Sequence, residues 1–237
     1  MRHIEKDFVS REVFDYQAEL RAAQMDEQSL RDPAIHPDSD GPAIYDMVRS
    51  MPTFCNGLKS QLVKDQGNIC CYCGARLVWS SHPIREQYVV EHVFPKSRCR
   101  QKAGEYSNLL LSCHVQDDEN CPELWHCDRS KGERILHHTP LDEDCSDFYI
   151  YDEFGKVSGR DEEAESDITE VLNLNAKLLK DRRQAAIHGE FYDENGNIFS
   201  DEELRDRLDT IMLPDERGWY SEFCFAIAGA IKHFLEY

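Results

Sequence analysis

The sequence predicts an α+β chain, with a small thiolate-stapled core of two short strands and one helix at 66–137 and mainly helical segments at 1–65 and 138–237. Three observations predict it. Seven of the ten cysteines (Cys70, Cys71, Cys73, Cys99, Cys113, Cys121 and Cys127) fall in one window. That window carries two short strand-like runs. Outside it, apolar residues mostly recur at helical spacing.

The elements follow in chain order. Residues 11–28 read as a helix, with Val13, Phe14, Tyr16, Leu20 and Ala23 on a rough 3.6-residue period. Asp32-Pro33 and the stretch from His36 to Pro42 are turn chemistry and end it. A second helix is expected over 43–64, kinked or broken near Pro52. In the central window, Tyr88-Val89-Val90 reads as a strand ending at Glu91-His92. Asn108 to Cys113 reads as a second strand, and Asp128 to Leu136 as a short helix. Phe148–Tyr151 and Phe154–Val157 suggest a hairpin. Ile168–His188 is expected to be one amphipathic helix, with Val171, Leu172, Leu174, Leu178 and Leu179 as its apolar set. A last helix spans Phe223–Leu235.

Composition narrows the function. No run of 18 apolar residues is present, so no membrane span is expected. The charged start Met1-Arg2-His3-Ile4-Glu5-Lys6 is unlike a secretory signal, and a cytoplasmic protein is the default. A net charge of −19 argues against binding a polyanion over the whole surface. The charge is uneven: residues 61–140 are neutral overall, and residues 141–217 carry −14. The one basic run, Lys96, Arg98, Arg100 and Lys102, lies in the neutral window. These residues, with Lys131, are candidates to position a phosphate backbone, or are an ordinary solvated loop.

Clustered cysteines in a cytosolic chain point to metal or burial rather than disulfides. Cys70-x-x-Cys73 places two thiolates where a tight turn, helped by Gly74, lets both reach one tetrahedral ion. A redox pair is the rival reading, but such a pair opens a helix in a βαβ setting that this sequence lacks. Cys113 and Cys127 are the expected second pair, although 13 residues separate them. Cys121, His114 and His126 are rivals for the fourth position. Four thiolates would make the site structural, since no position is left for water. Cys55, Cys145 and Cys224 stand alone and read as small buried hydrophobes.

Between and beside the cysteine pairs stand Glu91-His92, Asn108 and Asp128. A neutral His can take a proton from water near pH 7. Two carboxylates can hold a hard divalent cation against a phosphate. An Asn side chain can tie a loop through backbone groups. Singly these residues are commonplace, and Asp128 has the alternative of being a helix N-cap. Jointly, Cys-x-x-Cys, Glu-His-x-x-Pro-Lys-Ser, Asn-Leu-Leu-Leu-Ser-Cys and Cys-Asp-x-x-Lys-Gly form a specific pattern.

That pattern resembles the HNH nuclease superfamily, in which an acidic-His dipeptide, a central Asn and a final His or Asn line a ββα-metal fold. More narrowly it resembles the PtuB-type nuclease subunits of Septu anti-phage systems, which also stand beside some retrons. The residues that carry the likeness are Arg2-x-Ile4-x-Lys6, Cys70-x-x-Cys73-Gly74, Val90-Glu91-His92-x-x-Pro95-Lys96-Ser97, Tyr106-x-Asn108 through Cys113, and Cys127-Asp128-x-x-Lys131-Gly132. The resemblance implies a zinc-stabilised ββα-metal (HNH) core. It implies His92 as general base, Glu91 beside a catalytic Mg²⁺ or Mn²⁺, and Asn108 as the orienting residue. Asp128 stands where many relatives carry His or Asn as metal ligand. It also implies an ABC-type, PtuA-like ATPase partner, whose basic surface would suit the acidic 141–217 segment. A merely solvated acidic face is the alternative.

The function expected is therefore metal-dependent cleavage of phage DNA within an ATPase–nuclease defence complex. RNA (tRNA) cleavage in a retron-linked system is an alternative, as is a catalytically inactive zinc-stabilised adaptor. A zinc deaminase requires His-x-Glu and Pro-Cys-x-x-Cys, and that order is absent.

Overall fold

The computed structural model describes residues 1–36, 39–77, 88–114 and 122–236, and it is α+β. Pro37 and Asp38 of the expected turn, and Cys121, lie outside the described residues.

Helix α1 (Arg11–Ala22) starts where the Ser10 hydroxyl accepts from Val13 N. It stops short of the expected residue 28 because Gln24 adopts φ +57°. Asp26 then caps a separate short helix, α2 (Glu27–Arg31). Asp40 caps α3 (Gly41–Val48) in the same way, through Ala43 N. The helix expected over 43–64 is two helices. Pro52 lacks an N–H and stands in the first turn of the second, which passes through a π-turn (Phe54–Leu58) into α4 (Lys59–Gln66).

The central strands are β1 (Tyr88–His92) and β2 (Leu109–Cys113), paired antiparallel with Tyr88 opposite Cys113 and His92 opposite Leu109. All five residues of β2 are buried, so its apolar run is continuous rather than alternating. Its second edge is covered. Cys71 N donates to Leu111 O at 3.1 Å. The buried Gln66 side chain takes Leu111 N at 2.6 Å and gives to Leu111 O at 2.8 Å. The last turn of α4 is thus fastened to the sheet.

The helix after β2, α5 (Asp128–Lys131), is one turn rather than the expected nine residues. It ends at Gly132, which has φ +52°. Beyond it come β3 (Tyr149–Tyr151), β4 (Val157–Gly159), α6 (Glu162–Ser166), α7 (Lys177–Phe191), α8 (Asp201–Ile211) and α9 (Cys224–Leu235). The second strand of the hairpin lies later than expected because Gly155, at φ +71°, is in the turn. The expected single helix 168–188 is broken. A π-turn (Asp167–Val171) follows α6, and Asn173 at φ +47° separates it from α7. The cause is tertiary. The fully buried Asp167 carboxylate accepts from His137 N, His138 N and the His137 ring. Leu172 O accepts from Cys127 N. Leu178, assigned to the apolar set, is exposed. Helix α8 escaped the sequence reading although Ser200-x-x-Glu203 forms a full capping box.

One buried apolar cluster draws on all three segments, from Val13 and Leu58 through Leu109–Leu111 to Leu179 and Ile227. The flanks therefore form the walls that hold the two central strands. No helix among the described residues is long and apolar enough to cross a membrane.

Candidate active site and thiolate centre

The four expected cysteines converge. The sulfurs of Cys70, Cys73, Cys113 and Cys127 lie within 4.8 Å of one another, all buried. Among the described residues this is the one group of three or more candidate ligands that meets so closely. The knuckle that brings Cys70 and Cys73 together is closed by Gly74 N donating to Cys70 O at 3.1 Å. Gly74 has φ +80°, and a Cβ there would stand 2.7 Å from the Phe225 ring, so only glycine fits. Cys113 arrives at the end of β2. Cys127 is held at φ +55°, an unusual conformation for a side-chain-bearing residue, by its N–H on Leu172 O and its carbonyl under Lys131 N. Against burial, hydrogen bonds from Cys113 and Cys127 carry the Cys70 thiol well below its ordinary range. This donor set can hold a structural zinc. His126, a rival for the fourth position, stands beside the cluster instead, with Nδ1 3.2 Å from Cys127 Sγ. Cys145 and Cys224 are buried as expected, whereas Cys55 is exposed.

A cleft of about 220 Å³ opens at the other end of the strand pair, lined by Glu91, His92, Lys96, Asp128, Arg129 and Lys131 among others. Glu91 and His92 are both buried, at 4% and 5% exposure. Their position follows from the register: His92 faces Leu109, and Val93 N extends the ladder to Asn108 O at 3.0 Å.

Asn108 does what its residue type suggested. Its Oδ1 accepts from Phe94 N at 2.8 Å, and its Nδ2 donates to Phe94 O at 2.9 Å and Lys102 O at 3.0 Å. One buried amide thus closes the loop that follows His92. The His92 ring is fixed on two sides. Nε2–H donates to Ala103 O at 2.9 Å, and the Tyr45 ring meets it edge-on at 4.5 Å. That assigns the proton to Nε2 and leaves Nδ1 as the basic nitrogen. Burial, with help from Lys96, lowers the His92 pKa to about 4, so the ring is neutral at pH 7.

Glu91 is the most constrained group. Tyr72 Oη donates to its Oε1 at 2.8 Å, and Lys131 Nζ lies 2.7 Å from the same oxygen. Burial and a hydrogen bond with Asp128 push its pKa up, while the Lys131 ammonium at 2.7 Å favours the ionised form. Asp128 opens α5, where its N–H donates to Ser112 Oγ at 3.3 Å. Cys127 and not Asp128 is therefore the N-cap of this turn.

The basic residues divide. Lys96 lines the cleft, and its ammonium lies 5.4 Å from the Tyr45 ring centre. Arg98 is exposed. Arg100 is structural, donating to Leu30 O, His36 O and Ser39 O. Lys102 lies over Phe94. Lys131, a candidate phosphate contact from the sequence, is 2% exposed and tied to Glu91 and to His92 O at 3.0 Å. The sequence reading missed Tyr72 and Gln66. Neither carries a motif signal beyond its place next to Cys73 or at the end of a helix.

A wider basin of about 900 Å³, lined by Arg2, His3 and residues 5–12 together with Gln61, Lys64, Asp65 and Tyr220, lies apart from this cleft. Its lysines are paired, Lys6 with Asp65 and Lys64 with Glu12. No protein-family model and no curated protein matches the chain.

Proposed function

We propose that the chain is a metal-dependent HNH endonuclease that hydrolyses phosphodiester bonds of phage DNA, with a structural zinc at Cys70, Cys73, Cys113 and Cys127. The observation that carries this reading is the cleft itself: two carboxylates and a neutral imidazole of fixed tautomer line one groove, beside a loop closed by Asn108. His92 accepts the proton of the attacking water at Nδ1. Glu91 and Asp128 present the hard oxygens suited to Mg²⁺ or Mn²⁺. Glu91 and Asp128 would hold such a cation, which would supply Lewis-acid charge at the scissile phosphate. Lys96 and Arg129, on the cleft wall, draw the backbone in. The chain acts with an ABC-type ATPase, whose basic surface compensates for residues 141–217 at net −14.

A second reading, an inactive zinc-stabilised adaptor, is favoured by one observation: the Lys131 ammonium already occupies Glu91. One experiment separates the two. The purified chain, with and without an ABC-type ATPase encoded beside it, is incubated with plasmid, single-stranded DNA and total RNA in Mg²⁺, Mn²⁺ or EDTA. Nicking of plasmid that EDTA stops is the expected result. Breakage of RNA alone would redirect the substrate. Intact polymers under every condition would leave the adaptor.

A further inference from the structure

Lys131 is a buried cation on a carboxylate. Its side chain is 1% exposed, and its Nζ lies 2.7 Å from Glu91 Oε1. It also donates to His92 O, at 3.0 Å. The one-turn helix α5 sets this position, with Asp128 three residues earlier on the same turn. Two carboxyls and one ammonium therefore share one wall of the cleft. A divalent cation on the same carboxyls would bring positive charge against the ammonium in a poorly hydrated site, where like charges repel strongly.

We propose that Lys131 is a resident counter-ion: it holds the Glu91 carboxylate while no divalent cation is bound, and yields that oxygen to the cleft-facing side when one binds. The proposal rests on the metal-dependent reading above and deepens it. It also reconciles the residue's position in the Cys-Asp-x-x-Lys-Gly run, beside the cleft, with its burial. The ammonium is a latch in one state and a phosphate-facing cation in the other. Removing the charge leaves the two carboxyls without their competitor, so a cation binds them more readily. The latch keeps Glu91 paired in the absence of metal and sets a threshold of metal concentration for the active form.

The test uses the zinc-loaded full chain and Mn²⁺ as probe. Mn²⁺ binding is titrated by electron paramagnetic resonance in the wild type, Lys131→Met and Lys131→Gln. Amine labelling of the wild type, read by peptide mass spectrometry, is carried out with and without Mn²⁺. Lys6, whose side chain is 6% exposed and paired with Asp65, serves as the internal standard. The expected result is Mn²⁺ affinity at least tenfold tighter in both variants. Labelling of Lys131 should rise several-fold on Mn²⁺ addition while Lys6 stays unchanged. Equal or weaker affinity in the variants, or Lys131 labelling indifferent to bound Mn²⁺, overturns the proposal. So does an absence of Mn²⁺ binding in all three chains. Should the variants not fold, the wild-type labelling decides alone. The parent reading fails separately: tighter Mn²⁺ binding without cleavage of any polymer removes the nuclease and keeps the latch. Mn²⁺-dependent cleavage with a Lys131 that stays protected does the reverse.

Discussion

Tyr72 Oη donates a 2.8 Å hydrogen bond to Glu91 Oε1. Tyr72 sits between Cys71 and Cys73, so the thiolate knuckle and the carboxylate of the cleft are neighbours through one fully buried side chain. The thiolate cluster and the cleft are therefore directly linked through this side chain. Replacing Tyr72 with Phe deletes a buried donor and leaves its acceptor short of a partner. We expect Tyr72→Phe to lower unfolding stability by about 1–3 kcal/mol in urea titrations. Zinc content should be unchanged, and a loss of zinc would show that the hydroxyl, and not the ring alone, supports the thiolate knuckle.

Cys70→Ala removes one of four converging donors. Metal binding of this kind is coupled to folding. Elemental analysis should fall from one zinc per chain to none, with loss of the cooperative thermal transition. Because Tyr72 connects the two sites, nicking should disappear with the zinc. A wild-type preparation that is well folded without zinc would contradict this expectation.

His92→Ala should reduce cleavage by about 100-fold or more, the scale of a missing general base. The zinc should stay, since the ring is held by Ala103 O and Tyr45 at the other end of the strand pair from Cys113. Loss of the edge contact with Tyr45 at 4.5 Å should cost about 1 kcal/mol in a thermal or urea melt. Cleavage at the wild-type rate in this variant would remove His92 from the reaction.

Asn108→Asp tests the loop closure. A carboxylate can accept from Phe94 N but cannot donate to Phe94 O and Lys102 O. We expect it to lose about 1–3 kcal/mol of stability, and to lose cleavage as much as Asn108→Ala does. Rescue by Asp would mean that only the accepting half matters.

Lys6 supplies a pH test away from the cleft. Its ammonium donates to Leu109 O at 2.8 Å, lies 3.4 Å from Asp65 and sits over the Tyr106 ring at 3.9 Å. Burial nonetheless outweighs Asp65 and lowers its pKa from 10.5 to about 8. Between those values the unfolded chain binds the proton and the folded chain does not, so stability rises with pH. The contribution is fully present above about 10.5 and is lost as pH falls through about 8. Urea midpoints of the wild type relative to Lys6→Met should therefore climb by up to about 3 kcal/mol in equivalent stability from pH 8 to 10.5. A flat difference would mean that Lys6 keeps its proton throughout.

The sequence by itself determined the parts that depend on residue type and short spacing. Those are Cys70, Cys73 and Cys113 as converging thiolates with Cys127 favoured for the fourth, the two strands with Glu91-His92 at the end of the first, the Asn108 staple and the last helix. Each needs only the chemistry of a side chain or the period of a short run. Tertiary structure decided the rest. The helix expected over 168–188 broke because Asp167 turns to three donors from residues 137 and 138. The helix expected over 128–136 stopped after one turn at Gly132. Local propensity cannot register such distant partners. Cys127 joins the other three sulfurs with its N–H on Leu172 O, while His126 stands beside the cluster, a placement set by a residue 45 positions away. Lys131 reads in the sequence as one more surface cation. Only the packing of a one-turn helix against β1 places its ammonium on Glu91, where a buried charge requires a partner.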